Sequence, residues 1–492
     1  MLVLYNPPSS ARRKPVMPLS LLALGALLEG RHEYRIVDGN LDPRPLDTLD
    51  RLVREEGADM LGVTVMPGPQ LADAAPLCRE LKARHPDTNL KIIWGGYFPT
   101  QHYDVCLKSG YVDYVVRGHG EVVFQSLIDR LALGQDPSDL VGLAYRQPDG
   151  MVWSNATAPI PHPDSMPDFP YERIDVNRYA RQSFMGRRTL AHHSSYGCPF
   201  FCNFCAVVNM VGGRWLAQSA ERTANTTRRL VNDYGADAVE FYDNNFFVHE
   251  ARTADFCERI LNLGIGWWGE SRIDTMLKYS DRTWELMRDS GLRMVFMGAE
   301  SGSDETLKRM NKGGSASTDK TLQMAEKARQ YGIVPEFSFV LGNPPDPEAD
   351  VHSTLEFIRK VKRVNPHTEI IMYVYTPVPL AGELYDQAKA EGFSFPETLE
   401  AWIGDDWQDF AQRRSSEIPW LSDPIHHHMR DFERVLSAYY PTITNPRLTG
   451  VRRFVLRAAS AWRYHLGFYR YPYELRPLQR LLAYQRPETC GF

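Results

Sequence analysis

Residues 195–205 read SYGCPFFCNFC, which puts Cys198, Cys202 and Cys205 at C-x3-C-x2-C spacing. Three of the chain's seven cysteines fall on this one short loop. Three thiolates so placed can hold three irons of a cuboidal iron–sulfur cluster, one thiolate per iron. No fourth cysteine lies nearby, which leaves one iron open to an exogenous ligand. The competing metal is zinc, with His192 or His193 as fourth ligand. Structural zinc sites come as paired C-x2-C knuckles or well-separated Cys/His pairs, and the sequence has no second knuckle. Cys78, Cys106, Cys257 and Cys490 are scattered and read as packed or exposed thiols.

Outward from the loop, the pattern is a regular series. Leu190–Tyr196 is strand-like and leads into the cysteines. Ala238–Tyr242 leads into DNNFF, Gly266–Glu270 into SRID, Met294–Met297 into GAESG, Phe337–Leu341 into GNPP and Ile370–Tyr375 into TPVP. Helical patterns such as Thr318–Tyr331 and Thr354–Val364 fill the gaps. Six strand–helix units predict a barrel-like or open parallel α/β sheet, with polar residues clustered where barrels build their chemistry.

The N-terminal part shows the same alternation. Met1–Tyr5, Tyr34–Val37, Met60–Val65, Lys91–Trp94 and Tyr111–Val116 read as short buried strands, with helices such as Leu19–Glu29 and Ala72–Arg84 between them. The turns YNPPSS, TVMPGPQ, WGGYFPT and RGHGE lie at the strands' carboxyl ends, where such sheets bind ligands. Glycines there let a large flat ligand approach the backbone. The Pro-rich stretch Pro159–Asp175 denies a helix and reads as a linker.

The remaining composition narrows the class. The chain has 492 residues, 43% hydrophobic and 24% charged, with formal charge −5. That predicts two to four soluble domains and no nucleic-acid partner. Pro18–Leu28 is too short to span a bilayer. The N-terminus lacks a basic region before an apolar core, so no signal peptide is expected. A sparse, odd set of cysteines points to a reducing cytoplasm.

The cysteine spacing, with Phe204 just before the last cysteine, resembles the signature of the radical S-adenosylmethionine superfamily. The resemblance covers roughly residues 185–395. It implies that the open iron of a [4Fe-4S] cluster chelates S-adenosylmethionine, whose reductive cleavage yields a 5′-deoxyadenosyl radical. It further implies that Asp243 of DNNF accepts from the ligand's ammonium and that Arg272 of ESRID forks onto its carboxylate. Glu300 and Ser301 of GAESG would bind the ribose, and Gly342 of VLGNPP would lie beside the adenine. TPVPLAGELYDQA resembles the family's strand-six segment. A flavodoxin- or ferredoxin-type electron donor is implied as well.

Residues 1–140 resemble the cobalamin-binding domain of the largest subgroup of that superfamily, through NPPS, PLSLLALGALLEG, VDGN, GVTVMPG, WGGYFPT and VVRGHGE. The implied cobalamin contacts are Thr64, Val65, Met66, Pro67, Gly68, Gly95, Gly96, Tyr97, Gly118 and Glu121. The D-x-H-x-x-G motif, whose histidine ligates cobalt in methionine-synthase-like domains, is missing, and His102 and His119 are misplaced for that role. Cobalamin bound without a protein histidine is therefore implied.

The expected fold is α/β. A Rossmann-like (flavodoxin-like) cobalamin-binding domain at 1–140 is followed by a linker at 141–184. A partial (β/α)6 TIM barrel spans 185–395, and a mainly helical region expected to specify the substrate spans 396–492. The resemblance implies a C-methyltransferase that moves a methyl from S-adenosylmethionine, through methylcobalamin, to an unactivated carbon of a small molecule or lipid. Alternatives are a cyclase or oxidative ring-forming enzyme with the same cofactors, and a non-catalytic corrinoid or iron–sulfur sensor. A tRNA methylthiotransferase would carry three N-terminal cluster cysteines, whereas only Cys78 and Cys106 precede the motif.

The tail Val451–Phe492 holds eight Arg, two Glu and nine aromatics. Val455, Ala459, Trp462, Leu466 and Tyr469 recur at helical spacing, with Arg452, Arg453, Arg457 and Arg463 elsewhere on the helix. Two expectations follow: the stripe packs on the barrel with the arginines solvated, or the helix lies on an anionic membrane as a peripheral contact. His426–His428 reads as a solvated loop, with metal binding as the alternative.

Overall fold

A computed structural model describes residues 1–9, 15–379, 382–411, 419–445 and 448–482, and for 409–411 the backbone alone. Ser10 of YNPPSS, residues 380–381 of TPVPLAGELYDQA, and 483–492 with Cys490 lie outside the described residues. The chain divides into two compact units. The first comprises Met1–Tyr179, Asn209–Gln218 and Ser394–Arg414; the second comprises Ala180–Val208, Ser219–Phe393 and Ser415–Phe492.

The first unit is built on β1 (Leu2–Asn6), β2 (Tyr34–Asp38), β3 (Met60–Thr64), β4 (Lys91–Gly95), β5 (Tyr114–Val116), β6 (Leu143–Arg146) and β7 (Val152–Ser154). The sheet order is β2-β1-β3-β4-β5-β6-β7. The first five strands run parallel and the last two antiparallel. The central strands β1, β3 and β4 are largely apolar and buried because helices cover both faces. Its main helices are α1 (Leu19–Leu28), α2 (Pro45–Glu56), α3 (Pro69–Arg84) and α4 (Glu121–Ala132). Leu4, Leu21, Phe124 and Leu127 pack one side of the sheet, and Val63, Leu71, Trp94 and Cys106 the other. At about 25 cal/mol per Å² of apolar surface removed from water, these two layers dominate the unit's stability.

Two boundaries shift from the sequence reading. β6 and β7 fall inside the span read as linker and extend the first sheet. The Pro-rich stretch is also ordered: prolines deny it a helix, but its side chains dock. Tyr171 is buried, Arg173 forks onto Glu29 at 2.7 Å through both Nε and Nη2, and Tyr179 donates to Asp38 at 2.7 Å. Of the region read as C-terminal, Ser394–Arg414 belongs to the first unit, where Trp402 packs 5.0 Å from Phe98 and 4.5 Å from His102.

The second unit holds β8 (Thr189–His192), β9 (Ala238–Phe241), β10 (Gly266–Ser271), β11 (Leu292–Glu300), β12 (Val334–Leu341) and β13 (Glu369–Val374). They pair in sequence order, all parallel, as an open six-stranded sheet. Its helices are α5 (Ala220–Tyr234), α6 (Glu250–Ile260), α7 (Asp281–Asp289), α8 (Thr318–Tyr331) and α9 (Pro347–Val364). Ser219, Ser280, Ser317 and Asp346 cap four of them by accepting from backbone N–H groups. Alternation puts Phe241 and Trp267 on the helix-covered face, in a buried cluster with Phe246, Phe247 and Phe256. Glu240, Trp268, Glu270 and Glu336 take the other face.

That inner face is polar. Trp268 donates to Glu336 at 3.2 Å, and Arg181 pairs with Glu240. Burial pushes the Glu336 and Glu270 carboxyls up to about 8, with neighbouring carboxylates adding to it. Between roughly pH 4 and pH 8 the folded chain therefore keeps protons that the unfolded chain has released, and stability falls as pH rises through this window. Glu336→Gln keeps an acceptor for Trp268 and cannot ionise. It is expected to be more stable than the parent at pH 8 by about 1–3 kcal/mol, with the gap shrinking toward pH 5. Urea midpoints across pH check this, and parallel pH profiles refute it.

Toward the C-terminus follow α10 (Asp423–Tyr439), α11 (Gly450–Leu466) and α12 (Leu475–Leu481). His426–His428 sits in α10, not in a loop. His426 is buried, and His427 Nδ1 lies 2.8 Å from the Asp423 carbonyl. The stripe expected to pack inward on α11 faces outward: Val455 is 39% exposed, Trp462 47% and Leu466 76%. Leu456, Ser460, Arg463 and Tyr464 are buried instead. Arg463 takes the inner face because it is fully engaged, pairing with Glu474 and donating to the Arg470 carbonyl at 2.8 Å. No helix among the described residues is long and apolar enough to cross a membrane.

Candidate functional site

In the second unit, the cysteine loop follows β8 and is tied to the segment after β11. Asn203 N donates to the Met310 carbonyl at 3.1 Å and its amide to the Arg309 carbonyl at 2.6 Å; Asn311 donates to the Phe201 carbonyl at 3.0 Å. Cys202 is buried, and Cys198 and Cys205 are partly exposed. Burial pushes the Cys205 thiol up to about 12. Burial also raises Cys202, against the pull of Lys312 and Arg272.

No three Cys, His, Asp or Glu side chains among the described residues converge as a single metal ion requires. A zinc ion needs that convergence, whereas a cuboidal cluster takes one thiolate at each of three separated corners. The donor set fits the cluster. Cys257, the other described cysteine of this unit, is fully buried in α6.

Two side chains reach the thiols. Asn245 donates to Cys198 Sγ at 3.8 Å, and Arg272 Nη1 to Cys202 Sγ at 3.4 Å. The Arg272 guanidinium lies 3.7 Å from the centroid of the Phe200 ring. Its fork is taken by Asp274, at 3.0 Å from both Nε and Nη2. The fork expected to meet a ligand carboxylate is thus held in place by Asp274.

Asp243 is fully buried and accepts from Ser194 N at 2.5 Å, from Ser195 Oγ at 2.9 Å and from Ser194 Oγ. It anchors the start of the cysteine loop. Of the DNNF motif it is Asn245, held down by the buried Phe246 and Phe247, that faces the thiols.

Glu300 ends β11 with φ 65, a left-handed conformation that costs a non-glycine residue about 1 kcal/mol. Lys312 holds it there: its Nζ lies 2.5 Å from Glu300 Oε1 and also donates to the Gly298 carbonyl. A Cβ at Gly298 would lie 1.9 Å from Glu300 Oε1 and 2.6 Å from Lys312 Nζ, so a larger residue there must displace this ion pair. Ser301 is fully buried, and its hydroxyl donates to Asp350 at 3.2 Å and accepts from Ser303 N at 3.1 Å. Gly342 takes φ 76; its N donates to Asp350 at 3.0 Å and its carbonyl accepts from Trp420 at 3.0 Å. Sequence reasoning missed Asn245, Lys312 and Asp350. Lys312 and Asp350 belong to helices or loops that no strand-end motif marks.

In the first unit, the residues expected at a ligand face come together at the carboxyl ends of β3, β4 and β5. Val65 N donates to the Gly95 carbonyl at 2.9 Å, and Phe98 N to the Val65 carbonyl at 3.1 Å. Gly96 takes φ 99 with Val65 O only 3.1 Å from where a Cβ would sit. Gly68 precedes α3, Tyr97 follows Gly96, and Gly118 N donates to Thr100 at 3.0 Å. Thr64 lies 3.4 Å from Ser20, and Met66 is 48% exposed beside Pro67.

Among the described residues, the buried polar atoms without a hydrogen-bond partner at this edge include Glu121 Oε2 and Gln101 Nε2. Leaving such atoms dry is costly, and a ligand rimmed with amides would satisfy both. A buried chain missed by sequence reasoning braces the same edge: Gln70 donates to Asn6 at 3.0 Å, and Asn6 to Asp38 at 3.0 Å. His102 is enclosed by Phe98, Phe395 and Trp402, and burial pushes its imidazole down to about 4. It is packing, not a presented ligand.

Comparison with known proteins matches residues 11–128 to the B12 binding domain and residues 193–358 to the radical SAM superfamily. An uncharacterized methyltransferase of Pyrococcus horikoshii is 26% identical over 73% of this chain and 78% of its own. An anaerobic magnesium-protoporphyrin IX monomethyl ester cyclase of Synechocystis is 28% identical over 68% of this chain and 67% of its own. The structure of the cobalamin-dependent S-adenosylmethionine radical enzyme OxsB, with aqua-cobalamin bound, superposes with a TM-score of 0.68. It is 15% identical and covers 98% of this chain and 75% of that one, so the whole described fold is shared.

Proposed function

The chain belongs to the cobalamin-binding radical S-adenosylmethionine enzymes, and from that premise we propose that it is a C-methyltransferase. It would transfer a methyl from S-adenosylmethionine, by way of cobalamin, to an unactivated carbon of a small-molecule or lipid substrate. The observation that carries this reading is one chain holding two built sites: a three-thiol loop set for an iron–sulfur cluster and a strand-end cradle with orphaned polar atoms suited to an amide-rimmed corrin. The cluster, once reduced, supplies the electron that cleaves S-adenosylmethionine.

The chain's own residues do the positioning. Cys198, Cys202 and Cys205 would hold the cluster, one thiolate per iron. Asn245 and Arg272 donate toward the thiolates and soften their charge. Asp243 and Asp274 fix the loop and Arg272. Glu300, held in place by Lys312, would accept from the ribose hydroxyls. The loops at 64–68, 95–97 and 118–121 form the corrin cradle.

The test is anaerobic reconstitution with cobalamin and methyl-labelled S-adenosylmethionine, then mass spectrometry of candidate substrates. A labelled methyl on carbon is expected; an unlabelled, ring-closed product would favour the cyclase chemistry named for the Synechocystis relative. Paramagnetic resonance of the Co(II) form is expected to lack superhyperfine splitting from a protein imidazole, and its presence would overturn the histidine-free cradle.

Electrons would come from a flavodoxin- or ferredoxin-type donor. The outward stripe of α11 supports peripheral contact with an anionic membrane at the cytoplasmic side. Val451, Phe454, Trp462 and Leu466 are exposed, with Arg452 and Arg457 on its two flanks. Phe454→Ser with Trp462→Ser is expected to abolish sedimentation with anionic liposomes at low salt. If the parent does not sediment, the membrane reading fails.

A further inference from the structure

The cleft between α10 and α12 encloses about 410 Å³ and is lined by Arg430, Glu433 and Arg434 from one helix and Arg476, Gln479 and Arg480 from the other. Each helix carries its two arginines at i and i+4, so each pair shares a face. Like charges at that spacing oppose one another, and here two such pairs meet across one cleft with Glu433 as the single lining carboxylate. Part of the arrangement is set in advance. Arg434 Nη1 donates to Gln479 Oε1 at 3.0 Å, and Gln479 Nε2 donates back to the Arg434 carbonyl at 3.3 Å. Arg476 lies 5.0 Å over the Tyr473 ring. Arg430, Arg476 and Arg480 are exposed at the cleft mouth. None of these residues belongs to the cysteine loop or the corrin cradle.

Guanidinium groups offer paired N–H donors that match the oxygens of a phosphoryl group, and they stay charged at every working pH. We infer that this cleft is a binding site for a phosphate-bearing anion, a mono- or diphosphate ester whose oxygens bridge the arginines of α10 and α12. A bound diphosphate offsets the surplus positive charge and ties the short α12 to α10. The ester is either a soluble phosphorylated metabolite or the headgroup of an anionic lipid. The inference stands apart from the methyl-transfer reading, because binding is measured without turnover.

The test uses the full chain and two probes at fixed ionic strength: inorganic pyrophosphate, followed by calorimetry and thermal unfolding, and phosphatidylcholine vesicles with or without phosphatidic acid. Saturable pyrophosphate binding with a raised Tm identifies a soluble ligand; retention on phosphatidic acid vesicles alone that the cleft variants below lose identifies the lipid headgroup. In either case, Arg430→Gln with Arg476→Gln is expected to weaken binding about tenfold or more, and Arg480→Glu further. Both substituted side chains in the double variant are exposed, so its Tm without ligand should match the parent. Arg452→Gln with Arg457→Gln on α11 is expected to leave pyrophosphate binding unchanged. The inference is overturned if neither probe binds, if the cleft variants bind as the parent does, or if the α11 variant loses pyrophosphate equally.

Discussion

Replacing Cys198, Cys202 or Cys205 singly with alanine is expected to abolish cluster assembly and 5′-deoxyadenosine formation together. Each thiol serves a separate corner, so no remaining pair can compensate. Among the described residues, the other cysteine of this unit, Cys257, is fully buried in α6, and the His193 ring lies tilted against Tyr196 at 5.3 Å. After anaerobic reconstitution, iron and sulfide content and visible absorption should fall to background in all three variants. Cys257→Ser should retain them. Full deoxyadenosine formation in any single loop variant would sink the assignment of the loop. The variants should remain folded, because the loop is held by Asn203 and Asn311 and not by the thiols.

The second large effect is expected at Asp350, a residue that no motif marks. Its carboxylate accepts from Ser301 Oγ, Gly342 N, Asn343 N and Asn343 Nδ2, all within 3.2 Å. These donors join the ends of β11 and β12, so one side chain on α9 fixes two neighbouring strand-end loops. Burial lifts the carboxyl, while the hydrogen bonds pull it down. Asp350→Ala leaves several buried donors dry at once, each worth roughly 1–3 kcal/mol and not fully additive. A loss of about 3 kcal/mol or more is expected in urea denaturation, with weakened S-adenosylmethionine binding in the fraction that still folds. A change below about 0.5 kcal/mol, the usual effect of a surface substitution, would show that the hub is not structural.

Much of the architecture was legible in the residues because it rests on local periodicity. Each short apolar run of the second unit became a strand within a few positions, since the face its helices cover must be apolar. Thr318–Tyr331 is a helix with the bounds its pattern suggested, capped by Ser317 and closed by Gly332. The cysteine loop was equally legible, because its chemistry depends on spacing along the chain.

Partner choice was not legible. Asp243, Arg272 and Ser301 were correctly placed at strand ends, yet their polar atoms are spent on Ser194, Asp274 and Asp350, and no local pattern records such pairings. On α11 the heptad-like stripe named a real face but not its direction. The inner side is won by Arg463 through its pairing with Glu474 and by Tyr464 through stacking on Tyr439 at 4.4 Å. The stretch read as a linker joins the first sheet because antiparallel pairing of β6 with β5 is a contact between distant residues. The sequence by itself determined the order of strands and helices and the identity of the thiol loop, since both follow from short-range spacing. Only the tertiary structure decided which charged groups neutralise one another and which apolar face stays exposed, because burial is shared among segments far apart in the chain.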